Sequence, residues 1–380
     1  MRKTTPLLLG ALLLLAGPAT AKVCTVDAVP AATLLLPYFE VDLANQWGIT
    51  TLFSINNASA TAVLTHVVVW SDLSVPVLDF NVYLTGYDVQ TLNMHDILIN
   101  GVLPATASLG QDPNDTISHK GLLSQDVNFA SCQGQLPPPL LPASFINHLQ
   151  TSLTGQPSPI LGGLCAGTGH GDQIARGYVT VDTVSNCTLR FPGDAGYFAA
   201  GGTGDATDQN VLWGDYIYIK DMVKVAEAAT LVHVEADPAD PATTVPGRYT
   251  FYGRYVGWTA VDNREPLATN FAVRYLNGGP FSGGTDLLVW RDSKVAQGAF
   301  ICPGQPRGGL PPWYPLGVEA LVVFDEQENP TVPVTLPVSP QPPQASLVPF
   351  AAEAQRVSVG SQALPVQKPF GWLFLDLNSV

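Results

Sequence analysis

The sequence predicts an all-β protein with two immunoglobulin-like antiparallel β-sandwich modules and an irregular, partly helical central insertion. Apolar residues make up 46% of the chain and charged residues 13%, a composition too apolar for a disordered protein. The 35 glycines and 33 prolines interrupt the chain too often for long helices. Short runs rich in Val, Thr and aromatic residues lie between these breakers, as is typical of sandwiches and barrels.

Residues 1–21 predict a secretory signal peptide. Arg2 and Lys3 precede an apolar run, and the small residues at 19–21 form a pattern that signal peptidase accepts. No later apolar run is long enough to span a bilayer. We therefore expect a secreted protein, extracellular or at the cell surface, with the periplasm as the alternative.

Residues 22–104 predict the first sandwich module. Four runs, 50–55, 62–70, 78–84 and 89–94, alternate in part between apolar and polar residues. Turns rich in Asn, Gly and Pro separate them. We expect each strand to turn one face towards a core.

Residues 105–247 predict the central insertion. After a loop, the segment 144–155 predicts one short helix, because four apolar residues recur at helical spacing between Ser144, a plausible N-cap, and Gly155. Strands are then predicted at 175–184, 211–219 and 229–236.

Residues 248–380 predict the second sandwich module. Its segment 329–350 contains seven prolines, which cannot enter a central strand. Strands are predicted at 248–261, 269–276, 285–290, 319–325, 354–359 and 370–377.

The motif Val-Trp-x-Asp occurs at Trp70 and again at Trp290, 220 residues later. A strand containing Phe53 or Phe271 precedes each copy, and a Tyr-x-x-Gly sequence follows each. We infer a divergent duplication of one module, with these four aromatic residues in its repeated core. A third Trp-x-Asp, at Trp213, lacks the flanking order, so turn chemistry alone can also produce the motif.

The aspartates of these motifs have two interpretations. In the favoured one, the Trp ends a core strand and the Asp accepts backbone N–H groups in the following turn. In the other, Asp72, Asp215 and Asp292 gather as carboxylates around a cation.

Five cysteines in an exported chain predict disulfides. Pairing Cys132 with Cys165 would close a loop of about 30 residues around the predicted helix, and this is the first bridge we expect. The partners of Cys24, Cys187 and Cys302 stay open, and an odd number leaves at least one cysteine unpaired.

The stretch GTGHGDQIAR at 167–176 provides the candidate catalytic residues, His170, Asp172 and Arg176. Glycines around them leave the side chains accessible, although a non-catalytic Gly-rich loop is the favoured interpretation. Acidic loops offer a calcium site, best at Asp205 and Asp208, because Ca²⁺ takes closely spaced oxygen ligands; a solvated acidic loop is the favoured interpretation there.

The formal net charge of −14 disfavours a nucleic-acid or anionic-membrane partner, because such surfaces need clustered Lys and Arg. The runs LLLPYFEVDL, TLFSINNASATA, LTGYDVQTLNMHD and NREPLATNF resemble those of a group of secreted proteins from environmental bacteria. This resemblance implies export and a β-sandwich architecture, and it implies no activity, ligand or functional residue. The strand rhythm is similar to that of immunoglobulin-like and fimbrial-chaperone-like domains, without the paired core cysteines of antibody domains.

We therefore expect a secreted structural or adhesive protein that contacts an extracellular protein or glycan surface and acts without catalysis. The first alternative is a module that binds carbohydrate or another ligand, with or without Ca²⁺. The second is a hydrolase that uses the loop around His170 and Asp172.

Overall fold

The computed structural model describes residues 29–104, 136–236, 249–259, 261–278, 283–318, 320–330 and 350–378. The regular structure within these ranges is mainly antiparallel β-sheet, which confirms the all-β class. The predicted signal peptide, Cys24, Cys132 and residues 331–349 of the Pro-rich segment lie outside the described residues.

Fifteen strands and one α-helix are defined in the described ranges, most of them close to the predicted bounds. The helix α1 spans Ala143–Leu153. The strands are β1 (Thr33–Asp42), β2 (Ile49–Asn57), β3 (Val63–Ser71), β4 (Pro76–Leu84), β5 (Val89–Asn93), β6 (Ile174–Val184), β7 (Leu212–Trp213), β8 (Asp215–Lys220), β9 (Val225–Thr230), β10 (Val232–Val234), β11 (Asn270–Leu276), β12 (Asp286–Trp290), β13 (Ala320–Asp325), β14 (Ala354–Ser358) and β15 (Phe370–Asp376).

Two antiparallel sheets form the first part of the fold. The front sheet has the strand order β10-β1-β6-β3-β4, and the back sheet has the order β5-β2-β8-β9, with β7 also paired to β2. Alternate residues of β1, β3 and β6, such as Phe39, Val67 and Val179, share one buried core with Phe53 of the back sheet. The two sheets therefore pack face to face.

The outer face of the front sheet is buried as well. Tyr38, Trp70 and Tyr178 project from it into a second core, which includes Phe251 and Ala354 from the C-terminal part of the chain. This explains why every residue of β3 is buried, and why the sequence there alternates only in part.

The predicted boundary at residue 104 is wrong in one respect. Strand β6, from the predicted central insertion, lies between β1 and β3 in the front sheet, and β8 and β9 complete the back sheet. Residues 22–104 therefore do not close a sandwich by themselves, because their first and third strands hydrogen-bond to β6 and not to each other.

The apolar stripe predicted for the helix is confirmed. Leu149 and Leu153 are buried, and Phe145 and Ile146 pack against the core between the sheets. The N-cap is Pro142 and not Ser144, and Gly155, two residues after the helix, has a left-handed φ of +69°. No helix among the described residues is long and apolar enough to cross a membrane.

The C-terminal part contains a three-stranded sheet, β11-β15-β13, and the pair β12-β14. The strand predicted at 248–261 is wrong, because 251–258 form turns. The backbone of Tyr252 and the hydroxyl of Thr250 both donate to the Asp262 carboxylate, and Trp258 has a left-handed φ of +59°. These local contacts curl a segment whose composition favours an extended chain.

The two Val-Trp-x-Asp motifs meet at Tyr178. Its ring stacks on Trp70 at 5.7 Å between ring centroids, and Trp290 meets it edge-on at 5.8 Å. The strand pairing around the motifs differs, however: β2 pairs directly with β5, whereas β15 separates β11 from β13. The pairing therefore gives no support to the inferred duplication, which stays a prediction.

The expected bridge between Cys132 and Cys165 is wrong. Cys165 forms a disulfide with Cys302, 137 residues later in the chain. A backbone bridge between Cys165 and Phe300 brings the two segments together, so folding overrides proximity in sequence. Cys187 is also disulfide-bonded.

Candidate ligand-binding site

A polar cavity of about 300 Å³ lies where the outer face of the front sheet meets β14; we call it the junction cavity. Strands β1, β6 and β14 supply part of its wall, and the loops that follow β3 and precede β6 supply much of the rest. Its lining consists of Tyr38, Glu40, Asp72, Thr168, His170, Arg176, Tyr314, Ala352, Ala354, Gln355, Arg356 and Ser358.

Strand geometry places the first charged pair in this wall. Phe39 of β1 faces the core between the sheets, so its neighbours Tyr38 and Glu40 project from the opposite face. Glu40 lies directly opposite Arg176 in the β1–β6 register. Gly177 belongs to the next pair in that register. Only glycine fits at this position, since a Cβ would lie 2.0 Å from the backbone oxygen of Trp70.

Three side chains lie against the Glu40 carboxylate. The Tyr38 hydroxyl donates to its Oε1 at 2.8 Å, and an Arg356 nitrogen lies 2.8 Å from Oε2. The Nε of Arg176 lies 3.8 Å from Oε1. Burial raises the pKa of Tyr38, and the charge of Glu40 raises it further, so the hydroxyl stays protonated as a donor.

Asp172 holds Arg176 in place. Both guanidinium nitrogens Nη1 and Nη2 donate to its two carboxylate oxygens at 2.7 Å, in a bidentate pair. The hydrogen bonds from Arg176 lower the pKa of Asp172 to about 2. Asp172 therefore positions the guanidinium and has no oxygen left free of it.

Asp72 is the carboxylate beside His170. Its Oδ1 accepts the backbone N–H of Thr168 at 2.9 Å, and its Oδ2 lies 3.6 Å from Nε2 of His170. A Cβ on Gly167 would lie 2.8 Å from the same carboxylate, so the glycine lets the loop pass this closely. Burial raises the pKa of Tyr314, and the charge of Asp72 adds to the effect.

The two guanidinium groups of the cavity are already matched by carboxylates. Arg176 contacts Asp172 and Glu40, and Arg356 contacts Glu40 and, at 3.8 Å, Asp286. Carboxylates therefore compensate the charge of both groups, while the Nε of Arg356 makes no hydrogen bond among the described residues.

Asp72 differs from these carboxylates. Among the ion pairs of the described ranges, its only basic neighbour is the imidazole of His170, whose side chain is 42% exposed, while that of Asp72 is 4% exposed. The cavity wall therefore carries one largely buried negative charge without a guanidinium or ammonium partner.

Three polar atoms in the wall lack hydrogen-bond partners. They are buried and make no hydrogen bond to any residue that the structure describes: Oγ1 of Thr168, Nε2 of Gln355 and Nε of Arg356. Buried polar atoms in native proteins are nearly always bonded to protein, water or ligand, so these three are candidates for contacts with a bound molecule or ordered water.

The sequence had singled out part of this site. His170, Asp172 and Arg176 do lie together, but Asp172 binds Arg176, and the carboxylate at His170 is Asp72. Glu40 and Arg356 were not predicted as site residues from the sequence. The sequence does carry a signal for Glu40, because it is a charged residue in a strand that otherwise consists mainly of apolar residues.

The three motif aspartates do not share a partner. Asp72 contacts the loop that precedes β6, Asp215 accepts the Ser54 hydroxyl at 2.6 Å, and Asp292 lies 3.0 Å from Arg254. Asp292 also accepts the N–H of Lys294, in its own turn, at 2.7 Å, as the favoured interpretation expects, whereas the N–H that Asp72 accepts comes from Thr168, 96 residues later in the chain.

The calcium candidates have protein donors on their carboxylates. Asp205 accepts from the Thr188 hydroxyl at 2.7 Å and from Arg190 at 3.1 Å. Asp208 accepts from Asn263 at 2.8 Å. Within the described residues, no group of three His, Cys, Asp or Glu is arranged to hold a metal ion, and calcium binding stays a prediction.

A larger, apolar cavity of about 460 Å³ lies between β1 and the strands β11, β12 and β15. Asp286 is the one charged residue of its lining. It offers volume but few groups that could orient a ligand, so the junction cavity is the better-defined recognition site.

No protein family model matches the chain, and no curated protein or solved structure matches it.

Proposed function

We propose that this chain is a secreted, non-catalytic binding protein that holds a hydroxylated ligand, one unit of a saccharide, in the junction cavity. Such binding would serve the adhesive role expected from the sequence, with a glycan surface as the partner. The observation that carries the proposal is a polar wall with ordered charged pairs and with three buried polar atoms that lack hydrogen-bond partners among the described residues.

The chemistry of the wall suits a ligand with several hydroxyl groups. A sugar hydroxyl both donates and accepts, so it can bond to the carboxylates of Glu40 and Asp72 and to the hydroxyl of Tyr314. The ion pairs of Arg176 and Arg356 hold Glu40 in place before binding, and the Thr168 N–H holds Asp72. A volume of about 300 Å³ is at the lower end of ligand pockets and accommodates one sugar ring.

The pairing of the ionisable groups supports recognition over catalysis. Asp172 is bound by Arg176 through both oxygens, and Glu40 accepts from Tyr38 and forms an ion pair with Arg356. The distance of 3.6 Å between His170 and Asp72 exceeds a hydrogen bond, so the one candidate acid–base pair is not joined.

The architecture is part of the proposal. Two antiparallel sheets that face each other over one core support a sandwich of the immunoglobulin-like kind as the scaffold. Such a scaffold would present the cavity on a rigid sheet face.

A glycan array, followed by calorimetry with the best oligosaccharide, tests the proposal. We expect saturable binding with one site per chain, and about tenfold weaker binding for Thr168→Val, because it replaces a wall hydroxyl with a methyl group. The matched control is Thr203→Val, in an exposed loop outside the cavity, which should bind as the wild type does.

Two results would contradict the proposal. The first is the absence of saturable binding to any glycan. The second is release of sugar products by the wild type that is lost in His170→Ala, which would favour the hydrolase alternative.

A further inference from the structure

We infer that the junction cavity selects a saccharide that carries a protonated amine, an amino sugar. The inference rests on the proposed function, because it specifies which saccharide the same cavity binds. It is carried by the contrast between Asp72 and the other carboxylates at the cavity.

The charged groups at the cavity determine which saccharides it accepts. Glu40, Asp72, Asp172 and Asp286 lie in or directly behind the wall, against the guanidinium groups of Arg176 and Arg356. The carboxylates outnumber the guanidiniums by two, and a protonated His170 would offset only one of these charges. An anionic sugar is therefore disfavoured, whereas a neutral or cationic one is not.

The excess negative charge of the cavity lies at Asp72. Arg176 and Arg356 contact Glu40, Asp172 and Asp286, so their positive charge is used there. Asp72 receives a backbone N–H on Oδ1, and Oδ2 faces the imidazole at a distance longer than a hydrogen bond. Oδ2 is thus the best acceptor in the cavity for a new cationic donor.

An ammonium group on the ligand would compensate the buried charge of Asp72. A largely buried carboxylate without a cationic partner is costly, and a partner that arrives with the ligand recovers part of this cost. An ammonium group offers three donors, of which one can bond to Asp72 and another to the protonated Tyr314 hydroxyl oxygen. The remaining ring hydroxyls can then contact the wall, as the proposed function requires.

Three β-1,4-linked oligosaccharides of equal length provide the test, because they differ only at one ring position. Chitosan oligomers carry an amine there, chitin oligomers an acetamide and cello-oligomers a hydroxyl. Calorimetry on the full chain, at a pH where the amine is protonated, should give at least about tenfold tighter binding for the amine than for the other two. Raising the salt concentration should narrow this difference.

The variant Asp72→Asn isolates the charge. Its amide oxygen can still accept the Thr168 N–H, so the loop contact is kept while the negative charge is removed. We expect the preference for the amine to disappear and the affinity for the hydroxyl oligomer to change by less than about threefold. Asp221→Asn, an exposed aspartate paired with Lys224, is the matched control and should keep the preference.

The outcomes separate the two ideas. Equal affinity for the three oligomers overturns the amine inference and leaves the proposed function standing, whereas binding of none overturns both. A preference for uronate oligomers over chitosan overturns the charge argument. If Asp72→Asn does not fold, the salt dependence of the wild-type preference decides, since a preference that salt does not change contradicts it.

Discussion

Asp262 illustrates how the surroundings of one residue set its chemistry. Its Oδ2 accepts the Thr250 hydroxyl at 2.6 Å and the Tyr252 N–H at 3.0 Å, while its Oδ1 is buried without a partner in the described part of the chain. Burial raises the pKa of Asp262 from 3.8 to about 6, against the opposing effects of Thr250 and Arg264. The folded protein therefore holds a proton on Asp262 that the unfolded chain releases near pH 4.

This proton makes stability depend on pH. The contribution of Asp262 is fully present below about pH 4 and is lost as the pH rises through about 6, because the folded state must then bury the charge. Asp262→Asn, which cannot ionise, should remove up to about 3 kcal/mol of this dependence between pH 4 and 7. Urea unfolding at several pH values measures it.

The change of the unfolding free energy with pH should be compared between the two proteins, and not its absolute value. The asparagine side chain also lacks a partner at the Oδ1 position, which affects the absolute value. Asp221→Asn, on the surface, is the control and should leave the slope unchanged. A constant difference between wild type and Asp262→Asn over this pH range would show that Asp262 ionises normally.

At the scale of elements, the start of β14 joins three segments of the fold. The backbone N–H groups of Glu353 and Ala354 donate to the carbonyl of Asp72, both at 3.2 Å. The Glu353 carboxylate accepts the Ser293 N–H at 2.6 Å and the Arg254 guanidinium. One buried acid thus links the turn after β3, the turns at 251–258 and the end of β12.

Removal of one member of this ion pair should be strongly destabilising. Glu353→Ala leaves the fully buried Arg254 with less compensation, and we expect a loss of about 3–5 kcal/mol in the free energy of unfolding. The double variant Arg254→Met/Glu353→Ala should recover part of that loss, because the buried pair is then removed as a whole. Denaturant unfolding of both single variants and the double variant forms the cycle that measures the coupling.

The corresponding control is Lys224→Ala, which breaks an exposed ion pair with Asp221 and should change stability little. If the single and double variants at Arg254 and Glu353 were additive, the pair would not be coupled, and β14 would be held by other contacts.

The positions of the strands and the helix along the chain could largely be predicted from the sequence. Which strands lie next to each other in a sheet could not. The predicted strands at 62–70 and 175–184 correspond to β3 and β6, because apolar runs and turn residues act locally. Their adjacency in the front sheet depends on contacts over more than 100 residues, which one sequence does not encode as a readable pattern. The strand predicted at 248–261 does not form for a related reason. Hydrogen bonding to Asp262 outweighs the β propensity of this segment.

The residues of the candidate site could likewise be predicted only in part from the sequence. The Gly-rich loop drew attention to His170 and Arg176, because exposed functional groups between glycines form a local pattern. Glu40 and Arg356 are more than 300 residues apart in sequence and meet at 2.8 Å, so only the fold brings them together. Asp72 was predicted to accept N–H groups of its own turn; its carboxylate accepts the N–H of Thr168 instead, and its second oxygen faces the cavity that the other residues complete.

At the scale of the whole molecule, the front sheet and the C-terminal part meet along one junction. It contains the Trp70–Tyr178–Trp290 ring cluster, the start of β14 and the disulfide between Cys165 and Cys302. The cavity walls come from both sides of this junction. Binding should therefore depend on how firmly the two sides are held together.

The disulfide allows a test of that dependence. Cross-linking Cys165 and Cys302, 137 residues apart, restricts the unfolded chain, and the loop-entropy relation gives a stabilisation of about 4–5 kcal/mol. The double variant Cys165→Ser/Cys302→Ser should lose much of this and should also bind saccharide more weakly, because Thr168 lies three residues from Cys165. Denaturant unfolding and calorimetry measure the two effects. A variant with lowered stability and unchanged affinity would show that the cavity is held by β14 and the ring cluster alone, and unchanged stability would contradict a structural role for the bridge.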